Sequence, residues 1–193
     1  MSILGIIASS KLGAAGGFES IATVSVGSGG AADVEFTSIP GTFTHLQVRA
    51  FASDDRGGGQ GADAWRMQFN SDTSANYSYH SVRGYGSAVA TEAAANASHL
   101  FGYSWGTSAA PNIFGAGIFD ILDYANTNKY KTVRVLNGVD LNGVVGTGGD
   151  VALISGSWRN TNAITSIKIY PDTYAATEWN QYSHFALYGI RSA

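Results

Sequence analysis

The sequence predicts an all-β fold: an antiparallel β-sandwich of jelly-roll type, residues 18–193, preceded by an N-terminal docking extension, residues 1–17. Three observations predict it. Apolar residues recur with a period of two in many short runs, the pattern of strands with one face in a core. Gly, Asn and Pro punctuate those runs at turn positions. No stretch sustains the 3.6-residue period of a helix, and no strand–helix–strand alternation is visible. About ten strands are expected, at a spacing that suits a sandwich, with simple up-and-down closure as the competing topology. No fixed repeat marks a propeller or solenoid.

In chain order, Ile3, Leu4, Ile6 and Ile7 form a short apolar patch before Lys11 and the glycines at 13, 16 and 17. It is far below the ~20 apolar residues that span a bilayer, and its lysine follows the apolar run instead of preceding it as in a signal peptide. The patch reads either as a loose terminus or as a docking peptide needing a partner to bury it. Ala22, Val24 and Val26 alternate, as do Val34 and Phe36. After the turn Ile39-Pro40-Gly41, Leu46, Val48, Ala50 and Ala52 oppose His45, Gln47, Arg49 and Phe51. Trp65, Met67 and Phe69 keep a period of two, and Tyr77 to Val82 and His99 to Trp105 read as strands. The Ala-rich stretch from Ser87 to Ala97 fits a helical turn or a long loop.

The central hairpin organises the rest. Ile113 to Tyr124 is rich in Ile and Phe and reads as a strand buried on both faces. Ala125 to Lys129 is turn chemistry, with Asn126 and Asn128 suited to a left-handed backbone. Tyr130 to Leu136 alternates, with Lys131, Val133 and Val135 on one face. Residues 139–150 read as a glycine-rich loop. Val151 to Trp158, Ile164 to Tyr170 and His184 to Ile190 complete the strands.

Composition narrows the function. Only 13% of residues are charged and the formal charge is −3, against roughly 25% charged residues in soluble domains. A surface of Ser, Thr, Asn, Gly and Tyr suits contact with other subunits or with sugars. The 11 basic residues are scattered singly, so neither nucleic acid nor a membrane surface is expected as a partner. Cysteine is absent, which excludes disulfides, thiolate ligands and a thiol nucleophile.

No reaction centre or cofactor site is expected. Gly102-Tyr103-Ser104-Trp105-Gly106 matches the G-x-S-x-G pattern but lacks the strand–turn–helix setting that exposes a nucleophilic serine. Residues 59–64, GQGADA, echo a dinucleotide fingerprint, yet a strand rather than a helix follows. Asp54, Asp55 and Asp63 bracket a glycine-rich loop that reads as solvated, although carboxylates on a loop suit calcium. Asp120 and Asp123 are expected on opposite faces, with Asp123 bonding turn amides to close the hairpin. The four histidines, at 45, 80, 99 and 184, share no short ligand spacing and read as half-buried. Tyr85, Tyr174, Trp179 and Tyr182 lie outside the alternation. Exposed, they would give flat contact area for a sugar or a partner protein; packed inward, they would cap the ends of the core.

Three stretches carry a resemblance: FESIATVSVGSGGAADVEFTSIPGTFTHLQVRA, FDILDYANTNKYKTVR and YSHFALYGI, with the leader MSILGIIASSK. Together they resemble virion structural proteins of tailed bacteriophages, of the tail-fibre or minor tail protein kind. The resemblance implies a non-enzymatic virion component, assembled in the bacterial host cytoplasm and partnered by other tail or capsid proteins. Jelly-roll modules of this kind commonly form homotrimers. Ile3, Leu4, Ile6 and Ile7 would then dock onto the particle, while Tyr85, Tyr174, Trp179 and Tyr182 would meet a host surface glycan or protein. Capsid decoration, or a head fibre, is the first rival. A glycan-cleaving tail enzyme using Asp63, Asp150 and Glu178 is the second.

Overall fold

A computed structural model describes residues 17–57, 63–107, 111–142, 148–172 and 176–191. Among them are twelve strands and no helix. They are β1 (Phe18–Ser25), β2 (Val34–Phe36), β3 (His45–Asp54), β4 (Asp63–Phe69), β5 (Tyr77–Tyr85), β6 (Ala88–Ala97), β7 (Leu100–Thr107), β8 (Gly115–Leu122), β9 (Lys131–Asp140), β10 (Gly149–Trp158), β11 (Ile167–Pro171) and β12 (His184–Ile190).

The strands form two layers. The larger sheet runs β1-β12-β3-β8-β9-β10-β5-β6, every neighbour antiparallel. The smaller runs β2-β11-β4-β7, also antiparallel. At its far end β3 pairs in parallel with β7, Ser53 with Gly106 and Asp54 with Thr107, which joins the layers at one corner. β7 lies across β9 and β10. The antiparallel sandwich is as predicted. The jelly-roll order is not confirmed by these pairings, because the strands divide eight and four.

Aromatic side chains bridge the layers. Trp65 of β4 meets Phe119 of β8 edge-on at 4.8 Å, Phe69 of β4 meets Trp158 of β10 at 5.6 Å, and Phe101 of β7 meets Tyr79 of β5 at 5.8 Å. Trp65, Trp158, Phe69 and Phe119 are fully buried. Each contributes about 1.5–3 kcal/mol or more by leaving water. Strand β4 is covered on both faces, so Gln68 between Met67 and Phe69 is buried too and Arg66 is partly buried.

The central hairpin forms from β8 and β9 with Phe119 opposite Val135. Strand β9 alternates as expected, with Lys131, Val133 and Val135 inside. Strand β8 does not bury both faces: it also alternates, and Ile118 points outward at 40% exposure. The left-handed backbone of the turn falls on Asp123 (φ 49°) and not on the two asparagines. The Asp123 carboxylate pairs with Lys129 and faces His45 at 3.6 Å, while the Asp123 carbonyl accepts from Asn126 N. Buried Lys131 ties the turn down by donating to the carbonyls of Asn126, Lys129 (3.1 Å) and Thr161 (3.0 Å).

Residues 88–97, expected as a loop or helical turn, are edge strand β6. It leaves β5 through the two-residue link Gly86-Ser87, with Tyr85 paired to Ala88 and Gly86 at φ 55°. A glycine at positive φ in the first of two loop positions is what a tight hairpin demands. Strands β9 and β10 extend into the stretch expected as a glycine-rich loop, pairing Asp140 with Gly149.

Candidate functional site

The described part of the loop between β11 and β12, residues 176–183, is pinned by the end of β3. Ala31 and Asp54 each make a β-bridge to Trp179. The amides of Thr177 and Glu178 donate to Asp55 Oδ1 at 2.7 and 3.0 Å, and Thr177 Oγ1 donates to Asp55 Oδ2 at 2.6 Å. These bonds outweigh the cost of partial burial and hold Asp55 below the usual carboxylate range. Asn180 N donates to Ser53 O at 2.7 Å, and Tyr182 N donates to Val26 O at 3.0 Å.

This pinning sorts the predicted contact aromatics. Trp179 is not a surface residue: it is fully buried, its ring 5.3 Å from Phe185 and its Nε1 donating to Ile169 O at 3.3 Å. Tyr85 is half-buried, with the Arg83 guanidinium 4.6 Å above its ring. Tyr182 is 72% exposed and sits at φ 74°. A bulky non-glycine residue in that region is strained, and such strain persists only where the surroundings fix it. Tyr85 and Tyr182 lie near the same end of the sandwich but on opposite sides of it. Five strand spacings separate β5 from β12, about 24 Å, so they form no single site. Tyr174 and the leader residues Ile3, Leu4, Ile6 and Ile7 lie outside the described residues.

Tyr182 stands at the mouth of a cleft of about 430 Å³ that also takes in Ser28, Asn112, Glu178, Asn180 and Gln181. Gly30 (φ 71°) is part of its wall, and any Cβ there would fall 2.3 Å from Glu178 Oε2. The cleft offers amides, hydroxyls, one carboxylate and an exposed ring. That chemistry fits a polar ligand with a flat apolar face, which is what a sugar ring presents.

Two of the three acids of the β3–β4 connection, Asp54 and Asp63, are not solvated, while Asp55 is exposed. Asp54 is fully buried and Asp63 is 3% exposed, and the Oδ2 atoms of both lack a hydrogen-bond partner. Burial, then the nearby Asp63 charge, pushes Asp54 up to about 8. Burial also raises Asp63, although Arg56 pairs with it at 2.5 Å. Arg56 thus supplies the countercharge a cation would bring, and no cluster of three or more metal-ligating side chains occurs among the described residues. Sequence patterning missed this corner because its burial comes from distant contacts.

The remaining candidates separate. Ser104 lies within β7, in an extended strand rather than at a nucleophile elbow. Asp150 pairs with Arg83 at 3.1 Å, Asp63 pairs with Arg56, and Glu178 lines the cleft beside Tyr182. His80 and His184 are exposed, while His45 and His99 are half-buried. No helix among the described residues is long and apolar enough to cross a membrane. Comparison with protein-family models, with curated proteins and with solved structures finds no match to this chain.

Proposed function

We propose that the chain is a non-enzymatic structural component of a bacteriophage particle, of the tail-fibre or receptor-binding kind. Its leader docks on a virion protein, and its sandwich meets a glycan or protein of the host surface. The observation that supports host contact is Tyr182: an exposed aromatic in a strained backbone, on a loop pinned by Asp55 and Ser53, beside a polar cleft. Pre-organised aromatic contact area binds at low entropic cost. The virion assignment rests on the sequence resemblance.

The test has two arms. Intact particles carrying a tagged chain are imaged by electron microscopy, and the tag is expected on the tail. Adsorption to host cells is then measured with Tyr182→Gly, which removes the ring while accepting φ 74° without strain. Adsorption is expected to fall at least ~10-fold, the loss of one good aromatic contact. Unchanged adsorption refutes the Tyr182 assignment. A tag on the shell, with shells that rupture more easily when the protein is omitted, supports capsid decoration.

A further inference from the structure

Of the ten exposed large apolar side chains among the described residues, eight lie on the outer face of the large sheet: Phe18 stacks on Tyr188 at the β1–β12 edge, and the other seven lie on β3, β8, β9, β10, β5 and β6. These seven fall in two adjacent rows that run straight across the strands. One row is Ile118, Leu136, Leu153 and Val82, each paired in register with the next and 40–55% exposed. The next row is Phe51, Ala116, Gly138, Val151, Gly84 and Val89, again paired in register. Contiguous apolar surface of this kind on a soluble domain marks an interaction site.

We propose that this face is covered by a second copy of the chain, packed sheet against sheet about a two-fold axis. The axis lies between the rows, in the plane of the interface and perpendicular to the strands. The inference stands apart from the virion reading and does not depend on it. Its basis is that the face is complementary to itself. On β8, β9 and β5 the first row is bulky and the second is small, while β10 carries an aliphatic side chain in both rows, Leu153 and Val151. Under this axis each strand meets its own copy running the opposite way. Leu136 then faces Gly138 of the second copy, Ile118 faces Ala116 and Val82 faces Gly84, while on β10 Leu153 packs on Val151 as an aliphatic pair. The receiving hollow exists already, about 470 Å³ over Gly138 between Ala116, Ile118 and Val151. It cannot fill from within, because a Cβ on Gly138 would lie 2.9 Å from Asp150 O.

Charge follows the same symmetry. Arg134 and Asp140 flank Leu136 and Gly138 on the outward face of β9. The axis that sets Leu136 on Gly138 sets Arg134 beside Asp140 of the second copy, twice. Arg134 is the one basic residue among the described ones that no ion pair, hydrogen bond or aromatic contact engages within the chain. Asp140 is engaged only through Oδ1, by Asn142 N at 2.8 Å. Five strands and four rows span about 24 by 27 Å, about 650 Å² per copy and about 1,300 Å² in total, within the range of specific interfaces.

Analytical ultracentrifugation of the full chain tests it. The expected mass is twice 20.1 kDa, with Kd at or below about 10 µM for an area of this size. Leu136 is 55% exposed, so Leu136→Arg should keep the far-UV spectrum and melting temperature and sediment as a single chain. Arg134→Asp should weaken the dimer at least ~10-fold, and Arg134→Asp with Asp140→Arg should restore it. Three outcomes overturn the proposal: a single chain at about 100 µM, a mass of three copies, or a dimer that Leu136→Arg leaves intact. Dimers that form only when residues 1–16 are removed would also overturn it, because the leader would then be the occupant.

Discussion

Replacing Asp54 by asparagine should flatten the pH dependence of stability. In the native chain burial and the Asp63 charge raise the Asp54 carboxyl from 3.8 to about 8. The folded state therefore keeps this proton between about pH 4 and pH 8, whereas the unfolded chain has released it. The unfolded state binds fewer protons throughout that window, so stability is full below about pH 4, falls as pH rises and levels off near 8. One proton is worth about 1.4 kcal/mol per pH unit, so the site removes about 2–3 kcal/mol between pH 5 and 7. The asparagine side chain imitates the neutral acid and carries no such slope. Asp72, held down to about 2 where bonds from Asn76, Trp158 and Ser74 outweigh its burial, changes stability only below about pH 4 and leaves the window clear. Burial lowers His99, which gives the opposite slope where the unfolded imidazole titrates, but it acts equally in both proteins. Urea unfolding of wild type and Asp54→Asn from pH 5 to pH 8 measures the difference directly. The variant should gain on the wild type steadily as pH rises. A difference constant to within about 0.5 kcal/mol across that range refutes an uncharged, buried Asp54.

Lys131→Met should cost about 2–4 kcal/mol in denaturant unfolding. It keeps the aliphatic stem but leaves the carbonyls of Asn126, Lys129 and Thr161 without their shared donor. Gly102→Ala should cost about 1–3 kcal/mol, since its Cβ would lie 2.6 Å from Trp65 Cζ2 and 3.0 Å from Ile154 Cδ1. Gly156→Ala meets only the end of Leu100, at 2.7 Å from Cδ2, and should lower the melting temperature less. Equal losses at the two glycines would show that the indole yields as readily as a leucine methyl.

Strands whose two faces differ in polarity were legible in the sequence. Strand β9 puts Val133 and Val135 inside against Thr132 and Arg134 outside, and β3 and β12 were recognisable in the same way. Strand β6 was hidden because alanines stand on both of its faces and an edge strand needs no apolar contrast. Its one local cue was the Gly86-Ser87 link. Trp179 was misread because a loop aromatic looks exposed until its loop is seen to pair with Ala31 and Asp54, residues 148 and 125 positions earlier. The Asp54–Asp63 corner failed for a related reason. Glycines around an acid signal solvent, while its burial came from the crossing of β3, β4 and β7.

The misreading of β8 has a different cause. Its run of Ile and Phe resembles a strand buried on both faces because its outward row is itself apolar. That row belongs to the face assigned to a second copy, so the sequence signal for burial was sound and the missing layer is intermolecular. Charge scarcity fits the same account. Among the described basic residues, Arg56, Arg66, Arg83, Lys129, Lys168 and Arg191 are in ion pairs, Lys131 is buried, and Arg49 and Arg159 are held by neighbours. Little charge remains to hold two copies apart, and the one guanidinium left over flanks the apolar rows. A surface that commits its charges within the chain and leaves aliphatic side chains in register across four strands is built to be covered.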